Sequence, residues 1–226
     1  MKIISPIREI LWPWSILALF FLLTTGRFHT YGRDEWQSWN DVSIKYKFSE
    51  NTGLLWSPEI KIGDDISDLI SWRMRQGVFF DYNENLILGF NYLYQEEKND
   101  SGDWRDEHRL EAFATIKWNL GGLKFSDRNK YEYRMRGNKK NPRYRNSLLI
   151  SKPITLHGVD LTPFIKDEIF YDFDASQLNQ NRFSFGTSYK LGKHTRFELY
   201  YTLRSKRNDR DWDETNIIGI KVKLDY

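Results

Sequence analysis

The 226-residue chain contains no cysteine. That excludes disulfides, a thiol nucleophile and Cys-ligated zinc, and it suits an oxidising compartment where a stray thiol is a liability. Six prolines and 14 glycines leave little room for a long structured linker, so the length reads as one large domain rather than two. No metal-ligand cluster, P-loop or dinucleotide fingerprint is present, and no cofactor is expected. Amphipathic helical periodicity is absent throughout. No apolar run reaches the length of a spanning helix, about 18 residues.

The longest apolar run, Ile10 to Leu23, is interrupted by Pro13 and Ser15 and preceded by Lys2 and Arg8. Such a run fits the core of a secretory signal peptide, with Thr24-Thr25-Gly26 near the cut. An uncleaved signal anchor is the alternative; either way the remainder is exported. The expected organisation is a signal peptide over 1–26, a lead-in over 27–35 and one domain over 36–226.

What is present is an alternation. Aromatic residues make up 16%, yet 29% of the chain is charged and the mean hydropathy is −0.66. The stretch Arg105 to Arg136 shows how both hold. Leu110, Ala112, Ala114, Ile116 and Trp118 share one parity, opposite Arg109, Glu111, Phe113, Thr115 and Lys117. After Asn119-Leu120-Gly121-Gly122 the pattern resumes, with Leu123, Phe125, Tyr131, Tyr133 and Met135 against Lys124, Ser126, Arg128, Lys130, Glu132, Arg134 and Arg136. A period of two on both sides of a Gly-Gly turn predicts a long β-hairpin. The same pattern predicts eleven strands between Trp36 and Tyr226, with a local bulge at Pro58.

Short turns (SENTG, YNEN, NLGG, LGK) alternate with longer polar connections (EEKNDSGDWRDE, RGNKKNPR, RSKRNDRDWDE). Membrane barrels have this asymmetry, with tight periplasmic turns and longer outer loops. They usually close with an even number of strands, so the expected fold is an all-β, transmembrane up-and-down antiparallel barrel of 12 strands, 10 being the alternative. By loop parity Trp36–Phe48 runs inward from outside, so the twelfth strand is expected before it, unless that segment threads the lumen.

Alternation alone does not say which face is inside. The predicted strands run longer than those of globular sheets and suit a tilted span. A bore lined with Trp and Tyr would need an internal helix to fill it, and none is visible. The chain also ends on an apolar-parity aromatic, Tyr226, as outer-membrane barrels do for their assembly machinery. These features put the apolar face toward lipid.

The stretches WQSWNDVSIKYKFSE, GDDIS, DEHRLEAFATIKWNLGGLKFSDRNKYEYRMR, YRNSLL, PFIKDEIFYDF, NRFSFGTSYKL and IIGIKVKLDY resemble the bacterial outer-membrane barrel family labelled "domain of unknown function 2490". The resemblance covers nearly all of Trp36 to Tyr226. It implies a cell-outer-membrane barrel of Gram-negative-type bacteria, and it carries no activity or catalytic residues. In pattern alone, the architecture is also similar to small monomeric porins for acidic oligosaccharides.

On the lumen parity, 22 bases stand against seven acids, Glu59, Glu111, Glu132, Glu168, Asp172, Glu198 and Asp225. The expected binding track is Arg73, Arg75, Arg109, Arg128, Arg134, Arg136, Arg145, Arg182, Arg196 and Arg204. Arginine forks suit carboxylate, sulfate or phosphate, so the expected function is a porin-like passive channel or a binding site for small anionic solutes, in a monomer. Arg–Glu pairs knitting a narrow lumen shut are the competing reading. A lipid-modifying enzyme is the alternative from another class; His108, beside Asp106 and Glu107, is its best candidate, but no Ser lies on the adjacent register of its hairpin. The expectation is therefore no enzyme and no catalytic residue. Expected partners are outer-membrane lipid and lipopolysaccharide, and the assembly machinery through Tyr226. Bases and aromatics fall on opposite faces, which argues against nucleic acid.

Overall fold

The computed structural model describes residues 35–99, 101–208 and 211–226. The expected signal peptide over 1–26 and nearly all of the lead-in over 27–35 lie outside the described residues. Strands occupy almost everything else, and no helix is present among the described residues. In order they are β1 (Glu35–Lys47), β2 (Thr52–Gly63), β3 (Asp68–Asn83), β4 (Leu86–Lys98), β5 (Trp104–Leu120), β6 (Leu123–Arg136), β7 (Lys139–Ser151), β8 (Ile154–Leu156), β9 (Val159–Asp172), β10 (Gln177–Lys190), β11 (Thr195–Asn208) and β12 (Asp211–Asp225).

The sheet has twelve strands, of which eleven close the wall. The twelfth is not the N-terminal strand expected before Trp36. It is the three-residue β8, which pairs only with the start of β9, and β7 and β10 both pair with β9 beside it. Closure comes from β1 and β12, which pair directly and in parallel from Glu35↔Thr215 to Lys45↔Asp225. Both run from the long-loop end to the tight-turn end, so parallel pairing is the geometry available when an odd number of strands closes. Every other wall pairing is antiparallel.

Several of the long connections read from the sequence are hairpins that extend the wall. β6 and β7 are joined by Gly137 and Asn138 alone, and β4 and β5 by 99–103. Pro58 does not bulge β2. The β1–β2 register is unchanged on either side of it, with Asp41↔Glu59 and Ile44↔Trp56, and only the intervening pairs are missing. Proline has no N–H to give the ladder, so the cost is a gap and not an extra residue.

The predicted faces hold. Leu54, Trp56, Ile60, Val78, Phe80, Phe90, Leu199 and Ile218 are exposed on the outside, while Glu59, Arg109, Glu111, Glu132 and Glu168 are buried within. This inverts a soluble barrel and is the arrangement of a membrane barrel. Inward aromatics lie flat along the wall where glycine makes room on the next strand. A Cβ on Gly53 would meet the Phe79 ring at 2.4 Å, on Gly89 the Phe113 ring at 2.3 Å, and on Gly219 the Tyr200 ring at 1.9 Å.

Candidate functional site: the lumen

Long strands with charges at every second position aim side chains from all round the wall into one narrow bore. Here they meet as a continuous ion-pair network. Glu107 on β5 accepts from three arginines: Arg109 Nη2 at 2.5 Å, Arg134 Nε and Nη2 both at 2.9 Å, and Arg136. Glu111 accepts from Arg75 Nε and Lys130 Nζ, both at 3.0 Å, and from Asn91 Nδ2 at 3.1 Å. Its cross-strand partner Glu132 takes Arg143 Nε at 2.8 Å, with Arg109 and Arg145 at 3.6 and 3.7 Å. Glu168 takes Arg145 Nη2 at 2.6 Å and has Lys166 and Arg182 near, and Glu59 pairs with Arg73.

The network is as closed as a protein core. Glu111 and Glu132 are 0% exposed and Arg109 is 4% exposed. Phe170, also 0% exposed, is ringed by the guanidinium carbons of Arg143, Arg145 and Arg182 at 4.8, 4.9 and 4.8 Å. Arg182 reaches past β11 and β12 to lie over Trp39 of β1 at 4.7 Å, and Lys61 lies over the same ring at 4.3 Å. Charges this deep persist only when every one is paired and hydrogen-bonded. The network therefore plugs the middle of the lumen.

Toward the tight turns the character changes. Lys45, Lys47, Lys117, Lys124, Arg128, Lys190, Arg196, Lys221 and Lys223 lie in that half, with Asp41, Asp81, Glu198 and Asp225. Four bases pair or hydrogen-bond elsewhere: Lys47 with Asp81 at 2.7 Å, Lys221 with Asp41 at 2.8 Å, Lys223 with Glu198, and Arg128 with Thr115 Oγ1 at 2.9 Å. Lys45, Lys117, Arg128 and Arg196 form no ion pair among the described residues. Lys45 sits over the Phe79 ring at 5.6 Å and Arg128 over Phe113 at 4.8 Å. Lys117, Arg128 and Arg196 are open to solvent. The result is a wet basic cup with flat aromatic walls, beneath a dry and neutralised plug.

The ten arginines expected to form one track are thus divided. Arg73, Arg75, Arg109, Arg134, Arg136, Arg145 and Arg182 belong to carboxylates of the network. Arg128 and Arg196 line the cup, and Arg204 donates to Thr215 Oγ1 at 2.9 Å near the other end. The sequence reading missed the inward acids Asp41, Asp81, Glu97 and above all Glu107; the last shares its parity with Arg109 and Glu111, which was the available signal. His108 faces outward, its Nδ1 2.6 Å from the Tyr92 hydroxyl and its Nε2 3.6 Å from Asp106.

The family described as "Protein of unknown function (DUF2490)" matches residues 36–215, nearly the whole barrel. The chain belongs to this family. No curated protein matches the DUF2490 sequence. Among solved structures, the DUF2490 barrel is similar to LpxR from Salmonella typhimurium, with a TM-score of 0.53 at 8% identity over 81% of this chain and 87% of that one. That likeness shows a shared barrel fold and nothing finer. The β-domain of the Bordetella autotransporter BrkA aligns over 80% of this chain and 83% of its own, with a TM-score of 0.39 at 13% identity.

Proposed function

We propose that this DUF2490 protein is a non-enzymatic outer-membrane barrel that holds small anionic solutes in its tight-turn, periplasmic cup without conducting them through. The observation that carries this is the contrast within one lumen: Lys45, Lys117, Arg128 and Arg196, in its more open half, form no ion pair among the described residues, while the buried bases above are paired. Surplus charge of one sign in a walled cup concentrates counter-ions, and flat aromatic walls suit the apolar faces of sugar-like acids. Of the two anion readings open to the sequence, passage and binding, the plug favours binding.

Calorimetry on the refolded barrel with inorganic phosphate, sulfate and a galacturonate oligomer tests it. At least one anion is expected to bind, weakening with added salt, and Lys45→Glu with Arg128→Glu is expected to weaken it at least tenfold. Absence of binding to all three would leave a closed structural barrel. In planar bilayers the protein is expected to stay at leak level; steady anion-selective steps would restore the porin reading.

A lipid-modifying enzyme is the second reading, favoured by one observation, the Asp106–His108–Tyr92 chain on the outer face toward the long-loop end. Labelled phospholipid and lipopolysaccharide are expected to remain intact; turnover abolished by His108→Ala would establish the enzyme instead.

A further inference from the structure

Directly beneath the plug, one arginine is held in place and left unused. Arg128 is the next inward residue on β6 below Lys130, whose Nζ donates to Glu111 at 3.0 Å. Its Nε donates to Thr115 Oγ1 at 2.9 Å across the β5–β6 ladder, and its guanidinium carbon lies 4.8 Å from the centre of the Phe113 ring. Both supports are fixed: Thr115 is 2% exposed, and the Phe113 ring fills the space left by Gly89. One N–H of the guanidinium is therefore spent on positioning. Its two Nη groups have no hydrogen-bond or carboxylate partner among the described residues. Glu111 and Glu168, the carboxylates whose charge reaches Arg128, are already taken by Arg75, Lys130 and Arg145.

A second cation faces it from the far wall. β1 and β6 stand five places apart along the wall in one direction and six in the other, so Lys45 and Arg128 project into the bore from opposite sides. Of the surrounding charges, that of Arg128 acts most strongly on Lys45. Lys45 also rests over an aromatic ring, Phe79 at 5.6 Å, which lies against Gly53. Asp225 is its neighbour in the β1–β12 register, yet no ion pair among the described residues joins the two. Two cations meeting across a walled bore repel, and an anion between them removes the repulsion.

We propose that the group held here is a tetrahedral oxyanion, a phosphate or sulfate either free or at the end of a small solute, in preference to a carboxylate. The shape of the site selects it. A guanidinium fork takes two oxygens of an anion side by side. A carboxylate so held has both oxygens facing the arginine and turns its carbon toward the opposite wall. A tetrahedral group keeps further oxygen on its far side, where Lys45 approaches, so both walls are satisfied at once. The fixed fork suits the first role, and lysine, a point charge on a flexible stem, suits the second. This deepens the reading of the cup as an anion site and rests on it.

Calorimetry on the refolded barrel at low salt and mildly alkaline pH tests it, with three probes that are all doubly charged there: inorganic phosphate, sulfate and malonate. The better of phosphate and sulfate is expected to bind about tenfold more tightly than malonate. Arg128→Lys keeps the charge but removes the fork, and is expected to shrink that preference to about threefold or less. A hexose phosphate that binds as tightly as inorganic phosphate would mark the terminal group of a larger solute, and one that binds far more weakly would mark the free ion; either upholds the proposal. Malonate matching the better tetrahedral anion, or an unchanged preference in Arg128→Lys, would overturn it while leaving the anion cup standing. Binding of none of the probes would overturn both. Should Arg128→Lys not refold, the wild-type preference decides.

Discussion

Arg109→Leu is expected to destabilise the refolded barrel by about 3–5 kcal/mol, the usual cost of removing one member of a buried ion-pair network. Arg109 serves three carboxylates at once: Glu107 at 2.5 Å, Glu132 at 3.6 Å and Glu111 at 3.8 Å. It is 4% exposed, and Glu111 and Glu132, which face each other directly across β5 and β6, are 0% exposed. Without the guanidinium those two carboxylates lose one of the two cations they share, Lys130 being the other. A urea titration of protein in lipid should show the lowered midpoint. Glu132→Leu in the same chain should recover part of the loss, because it removes one of the two facing carboxylates that Arg109 holds together. Arg196→Leu, at the exposed rim, should cost under about 1 kcal/mol. A loss at Arg109 no larger than that at Arg196 would mean the plug is wet and the ion pairs are screened.

The second large effect concerns closure. Ile44→Pro is expected to leave less than about a tenth of the chain in the compact, heat-modifiable form, because proline removes a ladder donor and lipid supplies no substitute partner. Ile44 pairs with Trp56 on β2 and Leu224 on β12, so β1 is an interior strand at this point. The ladder beside it is already broken at Pro58, where Val42 and Ser43 are not paired to β2 between Asp41↔Glu59 and Ile44↔Trp56. A second break adjoining the first opens the one parallel seam of the wall. The side chain faces outward, so the lumen network is not touched directly, and Ile44→Ala should refold normally. Wild-type refolding yield for Ile44→Pro would show that the β1–β12 seam does not hold the barrel shut.

The wall was legible because alternation is local. Each strand carries its own parity, and from Leu110–Trp118 or Ile218–Leu224 alone one can say which side chains share a face. The lumen was legible only as a list of charges. Counting bases against acids gave a large excess, yet the structure pairs seven of the ten expected arginines with glutamates. Glu107 lies in a polar stretch that looks like a loop in the sequence; because β5 starts at Trp104, its parity puts it inside.

The sequence by itself determined an all-β wall, its strand order in space and the direction in which each face points, because a period of two is set residue by residue. Tertiary structure alone decided how the wall closes and what fills it. The parallel β1–β12 seam depends on which two edges find each other, 180 residues apart at Lys221 and Asp41. The plug depends on contacts such as Arg75 with Glu111 across β4, and Arg182 with Trp39 across two strands. Such partners are fixed by the curvature and stagger of a closed sheet, which no single strand encodes.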